Sequence, residues 1–126
     1  MKHIAVLYTC HNRKHKTLKA LTSLTIAKNA AKNSIKISVY LTDDGSTDGT
    51  SEDVRKEFPE VIVLNGNGSL FWAGGMINSW KAACKVNHDG YLLLNDDTFI
   101  SDNIFDDIEL TDNYSYKTFL KKGVYI

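Results

Sequence analysis

Four short apolar runs alternate with segments of helical pattern, and this alternation leaves few folds open to the chain. The runs cover residues 3–9, 35–41, 61–64 and 91–94. Runs of this length, made mostly of aliphatic and aromatic residues, predict strands that are covered on both faces. Strands that alternate with helices form βαβ units with right-handed crossovers. We therefore expect an α/β fold, a Rossmann-like parallel sheet with helices on both faces.

The segments between the runs predict three helices. Between residues 14 and 31, leucines recur at helical spacing and lysines lie on the other side. A short charged helix is expected over 51–58, where Pro59 ends it. Apolar residues between 76 and 84 mark one face of a third helix, and Gly90 is the expected stop signal.

The chain length of 126 residues suits one domain. We expect residues 1–110 to form the α/β domain, with a short acidic helix over 102–110. Residues 111–126 show no clear period and predict a tail of undefined structure. Lys plus Arg and Asp plus Glu balance at 15 each, which argues against a dedicated nucleic-acid binder.

Cysteine use and hydropathy predict a cytoplasmic location. The two cysteines lack CxxC spacing, which favours a reducing compartment over a disulfide framework. The chain has no signal-peptide core and no apolar run near the length of about 18 residues that a membrane span needs. Lysines crowd the first third of the chain, and a solvated helix face is the favoured interpretation. Peripheral contact with the inner membrane face is the alternative.

All strand-to-helix loops of such a sheet open at the same edge. The four loops cover residues 9–13, 43–49, 65–72 and 95–98. None contains a GxGxxG or GxxxxGK[ST] signature, so a dinucleotide fold and a P-loop are not supported. A diphosphate bound here needs a metal ion to balance its charge, and Asp96 and Asp97 offer the oxygen ligands that Mg²⁺ or Mn²⁺ prefers. The pattern therefore favours a nucleotide-diphosphate ligand held through a divalent metal.

Each loop also has a simpler interpretation. The segment 43–46 is typical of an ordinary turn, and the segment 95–98 of a helix cap. For Phe71 and Trp72, packing beneath the site is the favoured interpretation, and exposed loop aromatics are the alternative. Cys10 is expected to be a packed residue, because no base accompanies it as a nucleophile would require.

In this order, the loops resemble the family 2 glycosyltransferases of the GT-A fold. They are most similar to the bacterial branch that builds surface polysaccharides and includes rhamnosyltransferase-like proteins. The resemblance runs from Ile4 to about Ile108. It depends on YTCHNR at 8–13, LTDDGSTDGT at 41–50, the glycine-rich stretch at 65–78 and LNDDT at 94–98. The second and fourth segments are characteristic only together.

The resemblance implies a role for each loop. The residues that would contact a nucleotide-diphosphate sugar are Thr9, His11, Asn12, Arg13, Asp43, Asp44, Asn67, Gly74, Gly75, Asn78 and Asp96. Asp97, in the DxD-type segment, would bind the Mn²⁺ or Mg²⁺ ion that bridges the two phosphates. The family transfers the sugar to an acceptor hydroxyl, usually with inversion. The resemblance to the bacterial branch implies a part in cell-surface polysaccharide synthesis.

The family's acceptor half and catalytic carboxylate lie well downstream of the DxD-type segment. No residue here can be assigned as the general base, because the acids between 102 and 112 have the spacing of a solvated helix face. We therefore expect a truncated chain, the donor-binding half of such an enzyme.

Two further hypotheses remain open from the sequence. One is a non-catalytic nucleotide-binding module that self-associates through an unpaired sheet edge. The other is a receiver-like phospho-acceptor domain, which is disfavoured because the acidic pairs follow the second and fourth strands and no strand-end lysine accompanies them.

Overall fold

The computed structural model describes residues 2–32 and 35–106, together with the backbone of residues 124–125. In chain order the elements are β1 (Lys2–Cys10), α1 (Lys14–Ala30), β2 (Ile35–Asp43), α2 (Thr50–Glu57), β3 (Ile62–Asn65), α3 (Phe71–Ala83), β4 (Gly90–Leu94) and β5 (Val124–Tyr125). They form one sheet in the order β3-β2-β1-β4-β5. The first four strands are parallel and β5 is antiparallel to β4. The predicted α/β fold with a Rossmann-like parallel sheet is confirmed.

The central strand β1 is buried on both faces, as its continuous apolar run predicts. Ile4, Val6 and Tyr8 pack in the core that α1 and α2 cover. Ala5 and Leu7 belong to the second core, beneath α3. Because each fully buried Leu or Val side chain contributes about 1.5–3 kcal/mol, this strand anchors the whole sheet. Helices therefore lie on both faces, which confirms that part of the prediction.

The bounds of α3 differ from the prediction at both ends. The helix begins at Phe71, ahead of the apolar stripe that identified it, and ends at Ala83. Gly90 is not its stop signal but the first residue of β4, where it pairs with Ile4. A Cβ atom at position 90 would lie 3.2 Å from Ile4 Cδ1, so the close approach to β1 favours glycine there.

The C-terminal part of the chain contains a strand that the sequence did not predict. Val124 and Tyr125 pair with Leu94 and Leu93. Of the predicted helix over 102–110, residues 104–106 are helical, and 107–110 lie outside the described residues, as does the boundary at 110. Part of the β4 edge is therefore paired, while β3 forms the opposite edge of the sheet. Self-association through an edge stays a prediction.

The lysines of α1 lie on its surface, as expected for a solvated face. Lys16, Lys19 and Lys28 are exposed, and Lys14 forms an ion pair with Asp53 at 3.4 Å. Within the described segments, no helix combines the length and the apolar character needed to cross a bilayer. Peripheral membrane contact stays a prediction.

Candidate functional site

The site lies where the chain changes direction in the sheet. From β1 the chain continues to β2 on one side, and α3 later carries it across β1 to β4 on the other side. Crevices at such switch points, outside the carboxyl ends of the strands, are where open α/β sheets bind ligands. A cavity of about 290 Å³ lies here, lined by Thr9, Cys10, His11, Arg13, Asp44, Gly68, Phe71, Trp72 and Asp96. All four predicted loops meet at this crevice, through the contacts described below.

Asn12 joins the first loop to the second. Its backbone N–H donates to Ser46 Oγ at 2.9 Å, and its Oδ1 accepts from the N–H of Thr47 at 2.7 Å. Its φ of 49° is a left-handed conformation that asparagine adopts more readily than most residues. Beside it, His11 Nδ1 donates to the backbone carbonyl of Asp44 at 2.6 Å. Both side chains hold the loops together, and their contacts with a nucleotide stay predictions.

The acidic pair after β2 is buried and fully engaged within the chain. Asp43 is 5% exposed, and its carboxylate accepts from the N–H of Ser46 at 3.0 Å and from the Ser51 hydroxyl. Asp44 is 3% exposed. Its carboxylate accepts three backbone N–H groups, from Gly68 at 2.8 Å and from Leu70 and Phe71 at 3.0 Å each. Both acids therefore build the loops, and their predicted nucleotide contacts remain untested.

The carboxylate of Asp44 also determines how α3 begins. It satisfies N–H groups that the first turn of a helix leaves without partners, and its negative charge suits the positive end of the helix dipole. Phe71, the first residue of α3, has a φ of 57°. The preceding loop passes so close that a Cβ atom on Gly66 would lie 2.6 Å from Asp44 Oδ1. Only glycine fits at that position without a shift of the loop.

Phe71 and Trp72 do not pack beneath the site as the sequence predicted. Phe71 is 75% exposed and Trp72 is 48% exposed, and both line the cavity. The Trp72 indole N–H donates to Asn95 Oδ1 at 2.9 Å, which joins the start of α3 to the loop after β4. Sequence analysis missed this role of Asn95, although its place directly before the acidic pair was a signal. The two aromatic side chains form an exposed wall of the crevice.

Close packing between α3 and β1 explains one of the two glycines in the predicted contact set. A Cβ atom on Gly75 would lie 2.2 Å from Thr9 Cγ2, so any larger residue would push the helix away from the strand. Thr9 lines the cavity, and its hydroxyl is buried beside Gly75 of α3 and has no hydrogen-bond partner among the described residues.

Six of the eleven predicted contacts do not line the cavity, namely Asn12, Asp43, Asn67, Gly74, Gly75 and Asn78. Asn78 donates from Nδ2 to Thr42 Oγ1 at 3.2 Å, between α3 and β2. Asn67 is exposed, and its Oδ1 accepts from the N–H of Ser69 at 2.8 Å. Gly74 lies within α3, where a Cβ atom would be 3.2 Å from Leu70 Cβ. Their contacts with a nucleotide sugar stay predictions.

The acidic pair after β4 forms ion pairs with Arg13. Arg13 Nη1 lies 3.3 Å from Asp96 Oδ1, and Arg13 Nη2 lies 3.1 Å from Asp97 Oδ2. The Asp96 side chain is 8% exposed and that of Asp97 is 46% exposed. Burial raises the pKa of Asp96, and the neighbouring Asp97 adds to that shift, while Arg13 opposes it. The pair presents one buried and one accessible carboxylate at the mouth of the crevice.

The donor set of this pair fits a divalent metal that a ligand helps to hold. Carboxylate oxygens suit Mg²⁺ and Mn²⁺, and such ions often bind through one or two carboxylates together with the phosphates of a substrate. In the described part of the chain, no group of three or more His, Cys, Asp or Glu side chains is arranged to hold a metal. Asp96 and Asp97 therefore fit a metal site in which the protein supplies some of the ligands and phosphate oxygens supply others. The two carboxylates do not surround a metal ion by themselves.

Cys10 is a packed residue, as the sequence predicted. It is 2% exposed and belongs to the core between the sheet and α1. Burial raises the pKa of its thiol, and the charges of Asp43 and Asp96 raise it further. A thiol that resists ionisation in this way is a poor nucleophile.

Solved structures of GT-A-like glycosyltransferases are similar to this chain. For TarS residues 1–349 from S. aureus the TM-score is 0.69 at 21% identity, covering 87% of this chain and 32% of that one. The same protein in complex with UDP-GlcNAc gives a TM-score of 0.67 at 20% identity, and the match covers 87% of this chain and 30% of that one. The mannosyltransferase PcManGT from Pyrobaculum calidifontis, in complex with GDP-Man and Mn²⁺, gives a TM-score of 0.59 at 16% identity. That match covers 76% of this chain and 28% of PcManGT.

The chain spans about a third of the length of these proteins. No protein-family model matches the sequence, and no curated protein matches it either. At these identities the likeness concerns the fold. The described residues therefore have the α/β fold of GT-A glycosyltransferases.

Proposed function

We propose that this chain binds a nucleotide-diphosphate sugar through a divalent metal, as the donor site of a glycosyltransferase. The observation that carries the proposal is the arrangement of Asp96, Asp97 and Arg13 at the carboxyl ends of β1 and β4, beside a cavity of about 290 Å³. Structures of the same fold contain UDP-GlcNAc in one case and GDP-Man with Mn²⁺ in another, which supports this ligand class.

The environment of each side chain supports a separate role. Asp97 is accessible, so it is the proposed metal ligand. Asp96 is buried against the cavity and is suited to accept hydrogen bonds from ribose or sugar hydroxyls. The exposed side chains of Phe71 and Trp72 would form one wall of the ligand site. When bound, the metal would stabilise negative charge on the leaving diphosphate.

The finer assignment is also part of the proposal. Residues 1–110 would form the donor-binding unit, and the sugar would pass to an acceptor hydroxyl in cell-surface polysaccharide synthesis, as in the rhamnosyltransferase-like branch of family 2. The pair at 96–97 would serve as its DxD-type motif. The chain spans about a third of the length of its structural neighbours. Donor binding is therefore the step for which these residues can be tested.

Calorimetry with UDP, GDP and dTDP, each with and without Mn²⁺, tests donor binding. We expect at least one diphosphate to bind in the presence of Mn²⁺, and Asp97→Asn to weaken that binding at least about tenfold. Glu57→Gln is the matched control, because Glu57 is an exposed acid at the end of α2. If no diphosphate binds with Mn²⁺, or if Asp97→Asn binds as tightly as the native chain, the donor-site assignment is wrong.

A further inference from the structure

We infer that Arg13 acts as an internal counter-cation that holds the Asp96–Asp97 pair until a divalent ion and a diphosphate arrive together. This inference rests on the proposed function, because it concerns the same two carboxylates. A metal site that phosphate oxygens complete already couples the binding of metal and nucleotide, and the inference adds that one residue, Arg13, strengthens this coupling.

The guanidinium spans two different carboxylates. One nitrogen faces Asp96 and the other faces Asp97, at 3.3 Å and 3.1 Å. The contact with Asp97 is a charge-assisted hydrogen bond, and the contact with Asp96 is an ion pair. A divalent ion that took the two oxygens facing Arg13 would therefore have to displace the guanidinium from them.

Arg13 can leave this position without any change in the backbone. Its carbonyl accepts the N–H of Thr17 at 2.9 Å, which fixes the backbone at the start of α1. Its side chain is 39% exposed and lines the cavity. Among the described residues, the guanidinium has no hydrogen-bond or ion-pair partner other than these two acids. Movement of one side chain therefore opens the pair.

The balance of charge indicates when this movement is favourable. With Arg13 in place the three groups carry a net charge of about −1, since two carboxylates face one guanidinium. A metal ion arriving alone must displace Arg13 and leave its charge without a partner. A diphosphate that arrives with the metal supplies new anionic oxygens for the guanidinium. The metal and the diphosphate should therefore strengthen each other's binding.

Electron paramagnetic resonance of free Mn²⁺ measures this coupling directly, without any enzymatic assay. The titration is performed on the full chain, first with Mn²⁺ alone and then with UDP or GDP present. We expect Arg13→Gln to bind Mn²⁺ alone about tenfold more tightly than the native chain, and to gain much less from the diphosphate. Lys81→Gln removes the same charge from the exposed last turn of α3 and should leave both values unchanged.

Arg13→Lys provides a second measurement that does not depend on Arg13→Gln folding well. This variant keeps the positive charge but has one nitrogen in place of the two that contact Asp96 and Asp97. Its affinity for Mn²⁺ alone should therefore lie between those of the native chain and of Arg13→Gln. If both variants bind Mn²⁺ alone no more tightly than the native chain, while the native chain still binds Mn²⁺ with a diphosphate, this inference is overturned and the proposed function stands. If no form binds Mn²⁺ with or without a diphosphate, both are overturned.

Discussion

Two acidic pairs follow strands of the same sheet, and in the sequence they look alike. Each is an Asp-Asp dipeptide at the carboxyl end of a strand, after β2 and after β4. The carboxylates of Asp43 and Asp44 are occupied by the Ser51 hydroxyl and by backbone N–H groups from their own loop and from the loop before α3. Those of Asp96 and Asp97 face the side chain of Arg13. The same dipeptide thus serves as scaffold in one place and as a candidate binding pair in the other.

The difference shows that position at a strand end does not by itself decide the role of an acid. A carboxylate that accepts several N–H groups in a buried loop stabilises the fold and has few lone pairs left for a ligand. A carboxylate paired with one movable side chain can exchange that partner for another cation. The contrast predicts that substitutions after β2 change stability, whereas substitutions after β4 change binding.

The largest effect is expected for Asp44→Asn. The amide has one acceptor oxygen instead of two, so at least one of the N–H groups of Gly68, Leu70 and Phe71 loses its partner and faces an NH₂ group. Loss of the negative charge at the start of α3 adds to this cost. We expect the free energy of unfolding to fall by about 3 kcal/mol, as measured by urea denaturation. A loss under about 1 kcal/mol would erase the contrast between the two pairs.

A smaller, pH-dependent effect is expected for Asp48, another acid of the loop after β2. It accepts the N–H groups of Lys14 at 3.0 Å and Thr50 at 3.1 Å, and the Thr50 hydroxyl as well. Burial opposes its ionised form, but these hydrogen bonds outweigh burial and lower the pKa of Asp48 below its ordinary value of 3.8. A lowered folded-state pKa gives stability that is present above the unfolded value and is lost as pH falls through the folded value.

We therefore expect Asp48→Asn to reduce the free energy of unfolding by about 1 kcal/mol at neutral pH, because a neutral amide accepts these hydrogen bonds less strongly than a carboxylate. The difference from the native chain should shrink as the pH falls below 3.8, the ordinary value for this carboxyl. Urea denaturation of the native chain and of Asp48→Asn over a series of pH values measures this difference in the free energy of unfolding. A difference that stays constant through the acid range would show that the charge of Asp48 contributes nothing.

The smallest effect on stability is expected for Asp97→Asn. Both Asp97 and its partner Arg13 are substantially exposed, and ion pairs of this kind contribute little. The free energy of unfolding should stay within about 0.5 kcal/mol of the native value in the same urea assay. The same sample should lose Mn²⁺ binding. A destabilisation as large as that of Asp44→Asn would make Asp97 a structural residue and remove the basis of the comparison.

The elements that sequence analysis predicted well are those with a strong local pattern. The apolar run of β1 and the leucine spacing of α1 are visible within a few residues, and the structure places both elements close to the predicted bounds. The start of α3 was not predicted, because it depends on the carboxylate of Asp44, which is distant in sequence. The strand β5 was missed for the same reason, since it exists through pairing with β4.

By itself, the sequence determined the α/β class and the meeting of four polar loops at one edge, because apolar periodicity and the geometry of βαβ units follow from local composition. Only the tertiary structure decided which acidic pair is occupied by backbone N–H groups and which one faces a side chain. Hydrogen bonds from Gly68, Leu70 and Phe71 occupy Asp44, while the side chain of Arg13, from the loop after β1, meets Asp96 and Asp97. The availability of a carboxylate depends on neighbours that the fold brings from other parts of the chain.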